Sequence, residues 1–139
     1  ETAEMPDCYV PGVVDVAGTG DTQRFVSQRF EPGDWDLPEA PFKHTKRDGR
    51  EFFVSKEFVD AGMRIDLPKI VSTMKIPALF VHGDADESVL LSEGQMLFAH
   101  YAGPKEFVTI HDADHTFTEP GREQEMLDAI VAWLTRQVV

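Results

Sequence analysis

The 139 residues suffice for one domain with a modest core, and 42% hydrophobic with 27% charged residues is ordinary for a soluble globular protein. A formal net charge of −12 argues against nucleic acid and anionic membranes as partners, because both require a basic face. Cys8 is the single cysteine, which excludes an internal disulfide and favours a reducing, cytoplasmic location. No apolar run approaches the roughly 20 residues of a membrane span.

The first part of the chain alternates short predicted elements with irregular segments. A strand at 13–17 is closed by glycines, and Asp21 is placed to cap the helix that follows. Residues 31–41 contain three prolines, which predicts an irregular excursion. The Asp48-Gly49 pair between two apolar runs then predicts a hairpin.

The second part of the chain has a more regular pattern. The nearly continuous apolar run 77–82 is typical of a strand buried on both faces of a parallel sheet. Ser92 to Gln95 resembles a capping box that opens a helix, and 106–111 reads as the next strand. Apolar residues at helical spacing predict a final helix at about 122–137. Strand, helix, strand and helix in this order indicate a βαβα unit.

Two residues that follow these strands could carry chemistry. Asp86 comes after the first strand of the unit and His115 after the second, 29 positions later. The carboxyl ends of neighbouring parallel strands share one edge, about 4.8 Å apart, so the two side chains can meet there. An acid that orients a general-base histidine is two-thirds of a Ser-His-Asp triad. Spacing alone leaves a purely structural role for the pair equally open.

Two sequence segments carry a resemblance to a known family. Residues 75–89, KIPALFVHGDADESV, resemble the acid-bearing segment of α/β-hydrolases, and 113–117, ADHTF, resembles their catalytic-histidine loop. The similarity runs from about 65 to 139. The family's chain order of nucleophile, acid and histidine implies that Asp86 is the acid and His115 the base. It further implies a serine hydrolase acting on a carboxylic ester, thioester or small amide, without a cofactor.

The family's nucleophile elbow, Gly-x-Ser-x-Gly, does not occur in the sequence, and no oxyanion-hole loop is recognisable. In family members these elements precede the strand matched by 13–17. We therefore expect the chain to resemble the C-terminal half of a hydrolase and to be inactive alone. The expected partner is the N-terminal half, or a second copy that pairs across an open sheet edge.

The expected fold class is α/β, a partial α/β-hydrolase fold with about three parallel core strands, flanking helices and an irregular cap. Residues 1–21 are predicted to form the first core strand and loop, 22–65 a cap-like insertion, and 66–139 the C-terminal core. Aromatic residues of the cap are the candidates for lining a substrate site, by position only: Phe25, Phe30, Trp35, Phe52 and Phe53.

Several alternatives accompany this interpretation. Asp84 competes with Asp86 as the acid but is expected to hold the turn, whereas Asp114 is expected to shape the histidine loop or face solvent. His82 is expected to be a buried structural residue. A metal site is disfavoured, although ligand types cluster at His111, Asp112, Asp114 and His115. The main functional alternative is a non-catalytic interaction or assembly module that retains relic triad residues.

Overall fold

The computed structural model describes residues 11–29, 42–45 and 49–137. They fall into two compact units, with boundaries after Gly18 and Leu67. We call residues 19–67 the hairpin unit and the remainder the sheet unit. The elements in chain order are β1 (Val13–Val16), α1 (Thr22–Arg29), β2 (Phe42–Thr45), β3 (Glu51–Val54), α2 (Lys56–Arg64), α3 (Leu67–Val71), β4 (Ala78–Gly83), α4 (Leu91–His100), β5 (Lys105–Ile110) and α5 (Arg122–Gln137).

The sheet unit contains a three-stranded parallel sheet in the order β1-β4-β5. Every residue of the central strand β4 is buried. This burial explains why its sequence is apolar throughout instead of alternating, since helices cover both faces of such a strand. The predicted class, about three parallel strands with flanking helices, is confirmed.

One face of the sheet packs against α5. Leu79 and Val81 of β4 and Ile110 of β5 form a buried cluster with Trp133 of α5. Side chains alternate across a strand, so the odd-numbered residues of β4 serve this face. These contacts fix α5 against β4 and β5, the two strands that lead into the loops with Asp86 and His115.

The other face of the sheet packs against α4 through aromatic rings. Phe80 of β4 meets Phe98 and Tyr101 edge-on, with ring centroids 5.7 and 5.6 Å apart. Phe107 of β5 completes this group at 5.5 Å from Phe98. Such edge-to-face pairs contribute about 0.5–1.5 kcal/mol each beyond their buried area. They hold α4 beside β4, next to the loop that contains Asp86.

The predicted capping box at Ser92 is wrong. Helix α4 begins at Leu91, two residues before the start that a Ser92 cap implies, and its N-cap Leu90 provides no side-chain hydrogen bond. The Glu93 amide instead donates to the Leu90 carbonyl at 2.8 Å, and Glu93 is itself buried. Helix α4 thus starts without the side-chain cap that the local sequence pattern predicted.

The hairpin unit has its own small core. Strands β2 and β3 pair antiparallel, which confirms the predicted hairpin. Val26 of α1 and Val59 of α2 are buried against each other. Asp21 caps α1 by accepting from the Arg24 amide at 2.8 Å, and Ser55 caps α2. None of the described helices has the length and apolarity that crossing a bilayer requires.

Conservative truncation at two isoleucines tests this assignment of the core. Ile110 is fully buried in β5, whereas Ile70 of α3 is 50% exposed. Ile110→Val should lower the free energy of unfolding by about 0.5–1.5 kcal/mol, because it leaves a void among packed side chains. The matched Ile70→Val should change it by less than about 0.5 kcal/mol. Urea denaturation measures both, and equal effects would contradict the packing described.

Candidate active site

The candidate site lies where β4 and β5 end. Their register places Gly83 beside Ile110, so the two following loops start side by side. Backbone hydrogen bonds then join the loops, from the Asp84 amide to the Ile110 carbonyl and from Ala85 to Ala113. A β-carbon at Gly83 would lie 2.1 Å from the Ala113 carbonyl oxygen. Glycine is therefore required for the loops to approach this closely.

The Asp86 carboxylate is fully hydrogen-bonded inside this junction. Its side chain is inaccessible to solvent. Oδ1 accepts from the backbone amides of Ser88 at 2.8 Å and Val89 at 2.9 Å. Oδ2 accepts from His115 Nδ1 at 2.9 Å. A buried carboxylate needs such donors to offset its lost hydration, and here they also fix its orientation.

His115 has one ring nitrogen committed to Asp86 and one available. With Nδ1–H donating to Asp86, the neutral ring carries its lone pair on Nε2. Nε2 has no hydrogen-bond partner among the described residues, and the side chain is 40% exposed. An imidazole held in this way can take a proton from a group placed at Nε2. The expected approach of Asp86 and His115 to hydrogen-bond distance is confirmed.

The loop that carries His115 is fixed by its own contacts. Asp114 accepts from the backbone amides of Thr116 and Thr118 and from the Thr118 hydroxyl. The Thr118 hydroxyl, followed by these amides, lowers the pKa of Asp114. Phe117 has a φ of 54°, a left-handed conformation that is uncommon for a bulky residue, and its side chain is buried in the core. Asp114 thus shapes the histidine loop, as expected.

Asp84 forms a second, more exposed pair. It accepts from His111 Nδ1 at 2.7 Å and from the Asp112 amide at 2.7 Å. Asp84 therefore joins the two loops, whereas the sequence predicted that it would hold its own turn, and neither of these hydrogen bonds goes to His115. The pairing of His111 was missed, although its 27-residue spacing from Asp84 nearly matches the 29 residues between Asp86 and His115.

Together with Asp112, this second pair presents side chains of the types that bind metal ions. Ligand atoms of Asp84, His111 and Asp112 lie within 4.8 Å of one another. The Arg122 guanidinium lies 3.7 Å from Asp112, and the hydrogen bond from His111 to Asp84 raises the pKa of His111, favouring its cationic form. A metal would have to displace that proton and tolerate the arginine. The arrangement therefore favours internal ion pairs over a cation.

His82 lies beneath the acid. It is 1% exposed, and its Nε2 donates to the Val89 carbonyl at 2.9 Å. The same nitrogen is 3.4 Å from Asp86 Oδ2. The sequence suggested a buried structural histidine but gave no sign of this proximity to the acid, apart from the four-residue separation of the two residues.

The aromatic residues predicted to line a substrate site are only partly described. Phe25 packs against the Val26–Val59 core of the hairpin unit. Phe30 and Trp35 lie outside the described residues, as do the side chains of Phe52 and Phe53. The substrate-lining role of these residues therefore stays a prediction.

Comparison with known proteins identifies the fold. No protein-family model and no curated protein match the chain. Among solved structures, an esterase domain from a Rhodothermus marinus protein matches with a TM-score of 0.70 and 26% identity, over 90% of this chain and 51% of the other. Est1E from Butyrivibrio proteoclasticus matches with a TM-score of 0.72 and 20% identity, over 93% of this chain and 51% of Est1E. One of the metagenome-derived lipolytic enzymes LipS and LipT matches with a TM-score of 0.63 and 15% identity, over 91% of this chain and 55% of the other.

The chain therefore has a partial α/β-hydrolase fold, and its structural neighbours are esterases and other hydrolases. It spans about half the length of these solved structures. The resemblance inferred from the acid-bearing segment and the histidine loop is thus confirmed at the level of the fold.

The Asp84–His111 pair should make stability depend on pH. The hydrogen bond to Asp84 raises the pKa of His111 above 6.5, so its stabilisation is complete below pH 6.5 and is lost as the pH rises through the raised pKa. The hydrogen bond from His111 lowers the pKa of Asp84 below 3.8, so that contribution is lost only as the pH falls through the lowered pKa. The pair is therefore most stabilising between these limits.

We expect His111→Gln to destabilise the protein more at pH 5.5 than at pH 9, as measured by urea denaturation at each pH. Added salt should shrink the difference, because both groups are exposed. A destabilisation that is the same at both pH values would contradict the ion pair.

Proposed function

We propose that this chain supplies the acid and the base of a serine hydrolase that cleaves carboxylic esters. The observation that carries the proposal is the hydrogen bond from His115 Nδ1 to the buried Asp86 at the carboxyl edge of the sheet. Esterases among the structural neighbours support the same reaction class.

The proposed chemistry assigns one role to each member of the pair. His115 Nε2 takes the proton of a serine hydroxyl as the serine oxygen attacks the ester carbonyl carbon. The imidazolium then returns that proton to the departing alcohol, leaving an acyl-serine that water hydrolyses by the same route. Asp86 holds the ring and stabilises its positive charge while the proton is on Nε2.

We infer that the nucleophile and the oxyanion-hole donors lie outside these 139 residues; the lack of a Gly-x-Ser-x-Gly segment in the sequence supports this. We propose that they belong to the N-terminal half of the hydrolase, in the same polypeptide or a separate one. Among the described strands β1 pairs with β4 alone, so its outer edge could receive a further strand. Self-association through that edge is the alternative.

The first substrate class to test is an aromatic carboxylic ester. Est1E has been solved with ferulic acid bound. A bulky aromatic acyl group also suits the predicted cap, whose sequence contains several aromatic residues. Thioesters and small amides are the next candidates, because the same acid–base pair serves any acyl transfer.

A non-catalytic interaction module is the second candidate function. Its specific support is the absence of a nucleophile elbow from the sequence. On that account Asp86 and His115 are relics, and their hydrogen bond only holds two loops together.

Hydrolysis by the complete polypeptide that contains these residues distinguishes the two functions. We expect cleavage of p-nitrophenyl acetate and methyl ferulate, with kcat reduced about 100- to 10,000-fold by His115→Ala and comparably by Asp86→Ala. His100→Ala is the matched control, because His100 is exposed and, among the described residues, its side chain bonds within its own helix, to the Met96 carbonyl. It should leave kcat unchanged.

Two results would sink the esterase proposal. Folded wild-type protein that cleaves neither ester, nor a thioester or amide, would favour the interaction module. Hydrolysis that survives His115→Ala at the rate of the His100→Ala control would show that this histidine is not the base.

A further inference from the structure

We propose that His82 is a positioning residue for the catalytic acid: it ties the Asp86 loop to the central strand and thereby keeps His115 in the tautomer that catalysis needs. The inference rests on the proposed function, because it concerns the same acid–base pair. It adds a third residue, which is buried within β4.

The hydrogen-bond partner of His82 determines which of its ring nitrogens carries the proton. Its Nε2 lies 2.9 Å from the Val89 carbonyl oxygen, which can only accept a hydrogen bond. Nε2 must therefore carry the hydrogen. The neighbouring Asp86 Oδ2, at 3.4 Å, attracts the same hydrogen more weakly. His82 is thus assigned as a donor towards both the loop backbone and the carboxylate.

The loop between β4 and α4 is held at Val89 by two hydrogen bonds. The Val89 amide donates to Asp86 Oδ1 at 2.9 Å, while the Val89 carbonyl accepts from His82. Val89 is therefore held at its amide by Asp86 and at its carbonyl by His82. Val89 is itself 5% exposed, so neither bond is readily replaced by water.

The position of the His82 ring is fixed by the helix packed against it. Gly94 of α4 lies against it, and a β-carbon there would be 2.6 Å from His82 Nδ1. The His82 ring is thus confined by Gly94 of α4 and by the Val89 carbonyl, and it links the central strand to the loop that contains Asp86.

The Asp86 carboxylate lies between the rings of His82 and His115. Asp86 Oδ2 lies within 3.4 Å of one imidazole nitrogen and within 2.9 Å of another. If His82 no longer holds the loop, Asp86 can turn away from His115 Nδ1. His115 then loses the acceptor that selects its Nδ1–H form, and Nε2 is no longer reliably free of a proton.

Nitrogen NMR of the ¹⁵N-histidine-labelled 139-residue chain, at a pH where imidazole is neutral, tests this directly. Wild-type His115 should carry its proton on Nδ1 and wild-type His82 on Nε2. Asp86→Ala should cause loss of the Nδ1–H form of His115. His82→Leu should cause most of the same loss, whereas His82→Gln, whose amide can still donate to Val89, should retain the wild-type tautomer.

A second variant covers the case in which His82→Leu does not fold. Gly94→Ala adds one methyl group against the ring and is otherwise favourable in a helix. It should also reduce the Nδ1–H population of His115. A role for His82 in stability alone predicts lower resistance to urea for these variants with the His115 tautomer unchanged.

The outcomes separate the two proposals. An unchanged His115 tautomer in Asp86→Ala would overturn the Asp86–His115 pair and with it the proposed function. If the His115 tautomer changes in Asp86→Ala but in neither His82→Leu nor Gly94→Ala, the positioning role of His82 is overturned and the proposed function is not. A wild-type His82 whose Nε2 carries no proton would overturn the positioning role as well.

Discussion

The parallel register of β4 and β5, which ends with Gly83 beside Ile110, determines how the rest of the site is built. Two loops that leave the sheet at the same point can exchange backbone hydrogen bonds, and here the Ala85 amide bonds the Ala113 carbonyl. Because side chains alternate along a strand, a one-residue slip in this pairing would exchange the core-facing sides of β4. Packing of α4 and α5 on opposite faces excludes that slip, so burial of the core and alignment of the loops are one constraint.

Burial of the Asp86 carboxylate makes this alignment strict. An ionised group without water needs strong hydrogen-bond donors, and the loop amides and His115 provide them. Any rearrangement that removes a donor leaves a buried charge incompletely satisfied, which is costly. The Asp84–His111 pair is exposed, so its contribution is screened and easily replaced by water. Two Asp–His pairs at one sheet edge thus differ in how firmly each is held.

The sequence predicted those parts of the fold that depend on local pattern. The nearly continuous apolar run 77–82 predicted a buried strand, and the structure covers both faces of that strand. Spacing alone could not choose between Asp84 and Asp86, since each reaches a histidine of the next loop; the family resemblance made the choice. The start of α4 was misplaced because Ser92 lies inside the helix, and the residue that precedes the helix, Leu90, has no side chain that could cap it. The contact of His82 with Val89 depends on a loop path that no periodicity encodes.

The hydrogen-bonded pair in these two loops needs a third group to carry out a reaction. We propose that this group is a serine located outside these residues and that His115 activates it. Fluorophosphonate labelling of the complete polypeptide, followed by mass spectrometry of the labelled peptide, tests this most directly. We expect label on one serine, within a Gly-x-Ser-x-Gly segment beyond the 139 residues, and much slower labelling after His115→Ala. Label on a serine of this chain, or labelling at an equal rate without His115, would contradict the proposal.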